Sequence, residues 1–267
     1  MKFTLNANQD LQKVSQAGVP TSGETFSNLG SGKGVWTQPE SVSKVKVHGI
    51  GGGGAGGNAY TNVPTFYYRA AAASGGGGGA YDYALVPVDP NSKDTIRVGR
   101  GGTVISTDGS NGGSGLVSWF RTQGCGSDVY QMYAIGGTGG NGATTTSTSN
   151  YSVVSGYVSG GAISHAGYAG GTSEKGSALA TSSTQRATGG KGGKAGGNGV
   201  SGFAYSSFAG SSVSGTQSTG TDAKAGTVGN DYGGGGSGAS STAKSSTRYG
   251  SNATGGAGAN GIVWIEY

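Results

Sequence analysis

The fold of this chain is decided by residues 44–57, which read KVKVHGIGGGGAGG. In the first half, Val45 and Val47 alternate with charged or polar residues, and this period of two is typical of a β-strand with one buried face. The second half is almost pure glycine, which has no side chain to bury and is costly to order. The stretch therefore predicts a strand that runs directly into a glycine segment.

Short apolar blocks bounded by glycine recur along the chain, and we predict about six strands from them. Their Val, Ile, Tyr and Trp residues suit a pleated, half-buried surface, and Trp36, Trp119 and Trp264 are expected in the core. No block predicts a helix, so the predicted fold class is all-β: a small core of short strands with long glycine-rich loops. The blocks lie at residues 36–50, 81–86, 95–98, 116–121, 129–135 and 262–267.

Glycine makes up 61 of the 267 residues and, with Ser, Thr and Ala, dominates residues 136–260. A structureless loop of that length is uncommon in a compact domain. Two interpretations stay open: the tract is disordered, or its glycines form extended threefold polyglycine II helices joined by backbone hydrogen bonds and Cα–H···O contacts. Ordering each glycine costs about 0.5–1 kcal/mol more than ordering alanine, which close packing would have to offset. For domain organisation we predict an attachment segment at 1–24 and a glycine-rich β-domain at 25–267, with long insertions at about 136–260.

The residues that usually carry catalysis or bind metals are scarce. Two histidines, His48 and His165, and one cysteine, Cys125, provide neither the ligand spacing of a zinc site nor a disulfide pair. We expect His48 to be solvated, because it lies on the polar face of its strand. No G-x-S-x-G motif is present, and the net charge of +5 forms no basic stripe. We therefore predict no catalytic, cofactor-binding or metal-binding residue, no cofactor, no enzymatic activity and no nucleic-acid partner.

A fixed order of motifs runs through the chain from about residue 25 to its last residue. The motifs are Trp-Thr-Gln-Pro at 36–39, Val42, the alternating Val45 and Val47, the glycine run of 50–57, Ile-Arg-Val-Gly at 96–99, several Gly-Gly-x-Gly-Gly blocks, and GGAGANGIVWIEY at 255–267. This order resembles that of the glycine-rich domain of bacteriophage tail-fibre and related virion proteins. In composition the chain is also similar to phage adhesins that carry a sandwich of polyglycine helices.

The resemblance implies a β-sandwich-like core with glycine-rich loops or helices in a virion protein. The scarcity of catalytic residues predicts that this protein is non-enzymatic, and its lone Cys125 fits synthesis in the reducing host cytoplasm. The leading hypothesis is a tail-fibre or tail-tip adhesin that contacts the bacterial surface through loops. The alternative is a purely structural virion component, such as a capsid fibre or decoration protein. Expected partners are other virion proteins and either a bacterial surface glycan or an outer-membrane protein. By analogy with fibres, we also expect a homo-oligomer such as a trimer. Because no segment approaches about 18 consecutive apolar residues, membrane insertion is not expected.

Candidate receptor-binding residues are aromatic side chains in the polar loops. The chain has 14 tyrosines but 6 phenylalanines, and tyrosine gives contact area at low entropic cost. Two interpretations have equal weight: the aromatic residues contact a receptor, or they anchor long loops to the core or to a neighbouring subunit. The candidates form three clusters: Tyr60, Phe66, Tyr67, Tyr68 and Arg69; Tyr151, Tyr157, His165 and Tyr168; and Phe203, Tyr205 and Phe208.

Overall fold

The protein is all-β in the part of the chain that the computed structural model describes. That part comprises residues 24–27, 33–62, 67–89, 91–122, 131–146, 151–164, 166–181, 185–196, 214–217, 222–229, 232–243 and 251–267. It contains no α-helix, and therefore no apolar helix with the length needed to cross a bilayer. Its 19 strands are β1 Glu24–Ser27, β2 Lys33–Thr37, β3 Lys44–Ile50, β4 Ala59–Thr61, β5 Arg69–Ala72, β6 Tyr81–Pro87, β7 Lys93–Arg97, β8 Ser118–Arg121, β9 Met132–Ala134, β10 Ala143–Thr145, β11 Tyr151–Val154, β12 Gly167–Tyr168, β13 Ser177–Ala180, β14 Gln185–Thr188, β15 Ser214–Gln217, β16 Asp222–Lys224, β17 Ser240–Ala243, β18 Ser251–Ala253 and β19 Ile262–Glu266.

Two antiparallel sheets form a β-sandwich at one end of the molecule. Sheet A has the strand order β1-β19-β3-β6-β12, and sheet B has the order β2-β7-β8-β9. The predicted alternation in β3 is confirmed, because Val45 and Val47 point into the sandwich and are buried. The three tryptophans are also buried, as expected. The sandwich core consists of Trp36, Val45, Val47, Val86, Val88, Ile96, Val98, Phe120, Met132, Ala134, Val263 and Ile265.

Extended glycine-rich segments run side by side from the sandwich toward the other end of the molecule. We call them together the glycine bundle. Each eight-residue segment is about 25 Å long at the rise of a polyproline II-type helix. The described members are residues 51–58, 74–80, 99–103, 110–116, 135–142, 155–161, 169–175, 189–196, 225–229, 233–239 and 254–261.

The hydrogen bonds of the bundle follow a period of three residues. In residues 51–58, successive N–H groups donate in turn to residues 74–80, to residues 110–116 and to residues 256–259. Every third N–H thus points to the same neighbour, as in a threefold extended helix. The bonds, all between 2.8 and 3.0 Å, are Gly51 to Ala80, Gly54 to Gly77, Gly57 to Ser74, Gly52 to Leu116, Ala55 to Gly113, Asn58 to Ser110, Gly53 to Ala259 and Gly56 to Gly256.

Two segments occupy the centre of the bundle. Residues 51–58 donate to three neighbouring segments and accept hydrogen bonds from three others, which makes six neighbours in all. Residues 74–80 likewise exchange hydrogen bonds with six segments, one of which is 51–58. Every residue of both segments is buried. The glycines of 136–260 that lie in described segments join this packing, so for them the interpretation as ordered polyglycine helices holds.

Glycine is required in this bundle because backbones touch where a side chain would begin. At Gly54, a Cβ atom would lie 2.0 Å from the carbonyl oxygen of Thr138. The Cα–H group of Gly54 therefore points at that oxygen, which is the geometry of a weak Cα–H···O contact. Gly156 lies at the edge of the bundle, and a Cβ atom there would meet nothing within 4 Å.

Three small sheets cover the end of the bundle that is remote from the sandwich. Sheet C has the order β10-β4-β18, sheet D the order β11-β5-β17-β16, and sheet E the order β13-β14-β15. Their cores are alanine layers, which permit close approach of the sheets. One layer lies between sheets C and D, and the other lies between sheets D and E. The layers consist of Ala59, Ala71, Ala73, Ala143, Ala239 and Ala253, and of Ala70, Ala72 and Ala187.

The Gly54→Ala substitution tests whether backbone contact holds the bundle together. We expect it to lower the free energy of unfolding by about 3 kcal/mol, because neither backbone can move without breaking other bundle hydrogen bonds. Gly156→Ala is the matched control, and should leave stability unchanged or raise it by up to about 1 kcal/mol through the unfolded state. Chemical denaturation of both variants measures the difference. Equal stabilities would contradict the packing described above.

Candidate functional site

At the end of the molecule that carries sheets C, D and E, five strands end and the next strand along the chain begins. The five pairs of consecutive strands are β4 and β5, β10 and β11, β13 and β14, β15 and β16, and β17 and β18. The strand registers align the residues at these strand ends. Thr61 pairs with Thr145 and Ser251, Arg69 pairs with Tyr151 and Ala243, and Gln185 pairs with Ala180 and Gln217. We call this end the tip.

Part of the predicted receptor-binding set lies at the tip. Tyr60 is in β4 and is half-buried, Tyr67 is 39% exposed, and Tyr68 is half-buried. Arg69 begins β5 and is buried. Tyr151 begins β11 and pairs with Arg69 in register. The structure therefore brings together the described members of the first predicted cluster and the first member of the second.

The rest of the second cluster lies elsewhere along the molecule. Tyr157 is on the flank of the bundle and is 68% exposed. Tyr168 is in β12 at the edge of sheet A, on the sandwich, and is 43% exposed. The chain crosses the length of the bundle between Tyr151 and Tyr168, so their closeness in sequence is not closeness in space. Outside the described residues lie Phe66, His165, Phe203, Tyr205 and Phe208.

A layer of polar side chains lies just inside the tip, between sheets C and D. We define the polar layer as Thr61, Arg69, Thr145, Ser241 and Ser251, all of which are buried. On their strands these residues follow the alanine layer toward the tip. The Ser241 Oγ atom lies 2.8 Å from Thr61 Oγ1 and 2.7 Å from Ser251 Oγ, so these three hydroxyls satisfy one another.

Arg69 is the charged member of the polar layer and is not fully satisfied. Its side chain is 1% exposed, and its Nη1 atom donates to the Asn62 carbonyl at 2.5 Å. Its Nε and Nη2 atoms are buried without a hydrogen-bond partner, as is the Thr145 hydroxyl. Burial lowers the pKa of the guanidinium, which nevertheless stays protonated at neutral pH. No single feature of the sequence predicts this burial, because Arg69 is followed only by alanines.

Nearly the whole chain matches a known protein family. A family model described as a glycine-rich domain matches residues 27–267. The chain belongs to the glycine-rich domain family. The match spans both the sandwich and the bundle of this glycine-rich domain. A comparison with curated proteins gives no match. Among the described residues of the domain, no three His, Cys, Asp or Glu side chains are grouped as they would be to hold a metal ion.

The outer face of sheet A in the glycine-rich domain carries a second cluster of functional groups. The expectation that His48 is solvated is wrong, because its side chain is fully buried. Its ring stacks on Trp264 with a centroid distance of 4.8 Å and an interplanar angle of 2°. Its Nδ1 atom lies 2.7 Å from the Tyr81 hydroxyl, and its Nε2 atom lies 3.3 Å from Glu266 Oε1. The alternation in β3 identified the face correctly, but sequence gave no sign that aromatic residues of β6 and β19 cover it.

Burial changes the protonation of this cluster. Desolvation lowers the pKa of His48 to about 4, although the carboxylate of Glu266 acts in the opposite direction and Lys46 acts in the same direction. Desolvation, together with the neighbouring Tyr83, raises the pKa of Tyr81. At neutral pH the cluster therefore holds a neutral imidazole hydrogen-bonded to a neutral phenol.

The pKa of His48 predicts that the glycine-rich domain loses stability in mild acid. Because the pKa is lower in the folded state than its ordinary value of 6.5, the unfolded state binds more protons below that pH. We expect the stability present above pH 6.5 to fall by about 3 kcal/mol as the pH approaches 4. His48→Asn retains a partner for Tyr81 but cannot titrate, so its unfolding free energy should fall less over the same range. Denaturant titrations at several pH values measure the unfolding free energy of wild type and of His48→Asn. If the two free energies fell equally between pH 6.5 and pH 4, this account would be refuted.

Proposed function

We propose that the protein is a non-enzymatic virion component, a bacteriophage tail-fibre or tail-tip adhesin that contacts the bacterial surface through its tip. The observation that carries this proposal is the alignment of the ends of ten strands, five pairs that are consecutive in the chain, at one end of a backbone-bonded bundle. Binding residues are commonly found on loops that a rigid scaffold positions. The bundle is such a scaffold, because its two central segments each exchange hydrogen bonds with six neighbours.

The chemistry of the tip supports surface recognition. Tyr60, Tyr67 and Tyr68 are partly or well exposed there. Tyrosine combines an apolar ring with a polar hydroxyl and is suited to contacts with sugars and with protein loops alike. The segment that we assign to attachment, 1–24, ends at Glu24, the first residue of β1, which pairs with β19 in sheet A of the sandwich. Attachment to other virion proteins at the sandwich would leave the tip facing outward, and a homo-oligomer would present several tips together.

The Tyr67→Ala variant tests the tip as the contact surface. We expect its affinity for host cells to fall about tenfold, as is usual when an aromatic contact at the centre of an interface is removed. Tyr157→Ala is the matched control, because Tyr157 is more exposed than Tyr67 but lies on the flank of the bundle. Labelled protein is incubated with candidate host cells, and bound protein and blocking of phage adsorption are measured.

The same experiment separates the adhesin from the alternative. Folded wild-type protein that binds no host surface and does not block adsorption would reject the adhesin proposal. Localisation of the protein on intact particles would then identify a structural component, such as a capsid fibre or decoration protein. If Tyr157→Ala lost binding and Tyr67→Ala did not, the contact surface would lie on the flank of the bundle and not at the tip.

A further inference from the structure

The guanidinium of Arg69 has one satisfied edge and one unsatisfied edge. Nη1 is bonded to the Asn62 carbonyl, whereas Nε and Nη2 have no partner. Nε and Nη2 share one side of the planar group, and this side presents two parallel N–H donors to a carboxylate or a phosphate. No carboxylate of the described residues forms an ion pair with Arg69. Among the described residues, the tip thus contains a cation whose two-donor edge is preorganised for bidentate contact and has no anionic partner.

An unpaired buried charge is costly, and such groups are normally neutralised by a partner. Arg69 begins a strand whose other residues, Ala70 to Ala72, are apolar and buried. The alanine layers already hold sheets C and D together. If Arg69 only filled space between the sheets, an apolar side chain of similar length would serve equally well. The buried charge therefore favours a role of Arg69 in binding over a role in packing.

We propose that Arg69 is the anion-binding residue of the tip, and that its Nε and Nη2 groups bind a phosphate or carboxylate oxyanion of a bacterial envelope glycan. This inference rests on the proposed adhesin function and assigns the chemical class of its receptor. The Thr145 hydroxyl, also buried in the polar layer without a partner, supplies a further donor inside the same layer.

Position and neighbours favour a glycan as the source of the anion. Arg69 lies one residue's depth below the surface, because Asn62, Tyr67 and Thr146 beside the layer are exposed. Tyr67 and Tyr68 directly precede it in the chain. A site for an anionic saccharide needs aromatic rings that pack on the sugar and a cation that binds its acidic substituent. The two tyrosines and Arg69 provide these groups. An oxyanion reaches the guanidinium when the side chains at this rim move aside.

The first test uses small anions as probes of the purified wild-type protein. Inorganic phosphate and acetate represent the two possible oxyanions, and each is added at millimolar concentration while the melting temperature and the heat of binding are recorded. A ligand that binds only the folded state raises the melting temperature. We expect a rise with at least one probe, and the stronger response distinguishes phosphate from carboxylate. No Arg69-dependent response to either probe would overturn the proposal.

Substitution of Arg69 distinguishes an anion-binding residue from one that only stabilises the fold. Arg69→Met removes the buried charge, so we expect the variant to lose probe binding while its melting temperature without probe stays the same or rises. The matched control is Arg186→Met, which changes an exposed arginine of sheet E and should keep probe binding. A melting temperature of Arg69→Met well below that of Arg186→Met would mean that the guanidinium is already satisfied in the free protein, and would refute the site.

Arg69→Lys keeps the positive charge but lacks the two-donor edge. Because hydrogen bonds to charged groups contribute about 1.5–3 kcal/mol, we expect this variant to bind the probe about tenfold more weakly than wild type. Affinity equal to wild type would show that the charge alone suffices and would overturn the bidentate contact. This variant also decides the question should Arg69→Met fail to fold.

Cell binding separates this inference from the proposed function. If wild-type protein binds host cells and Arg69→Met does not, and if phosphatase treatment of purified host lipopolysaccharide abolishes its binding, the glycan phosphate is the receptor group. Cell binding that is unaffected in Arg69→Met refutes the anion site but leaves the adhesin intact. Probe binding without binding to any cell refutes the adhesin but leaves the anion site. Arg69-dependent binding that survives removal of the acidic glycan assigns the anion to an outer-membrane protein and overturns the glycan.

Discussion

Direct contact between backbones is the constraint on which this molecule depends. In the glycine bundle a carbonyl oxygen of one segment occupies the place where a side chain of the next segment would begin, as at Gly54. This closeness lets each central segment exchange hydrogen bonds with six others, a number that strands in a sheet cannot reach. The entropic cost of ordering so many glycines is offset by hydrogen bonds and close contacts that no other residue type would allow.

The sandwich could be predicted from sequence because its strands carry the alternation of buried and solvated residues. All six predicted blocks form strands, and the three tryptophans are in the core. The twelve strands outside these blocks, ten of them in sheets C, D and E, could not be predicted. They consist largely of Ala, Ser, Thr and Gly, which have little preference for strands and become strands here because the bundle aligns them. The pairing register of the bundle segments could not be predicted either, because glycine has no side chain that would determine which residues pair.

The candidate site was predictable in part for the same physical reason. The tyrosines in polar loops could be identified from the sequence. Because the chain crosses the bundle repeatedly, however, residues that are close in sequence lie at opposite ends of the molecule, and residues that are distant in sequence lie side by side. Tyr151 pairs with Arg69 at the tip, whereas Tyr168 stacks near Tyr81 on the sandwich. The burial of Arg69 and His48 depends on strands from other parts of the chain. Polar residues in these positions give no local signal, because their surroundings are assembled only in the folded state.

The orientation of the bundle has a mechanical consequence. Its segments run from the sandwich to the tip, and their hydrogen bonds point sideways from one segment to the next. A pull applied at the tip against a fixed sandwich is thus shared among many bonds loaded in shear, instead of opening them one after another. In the adhesin role proposed above, a particle tethered to a swimming cell would impose such a pull, and the glycine segments would resist it along their whole length.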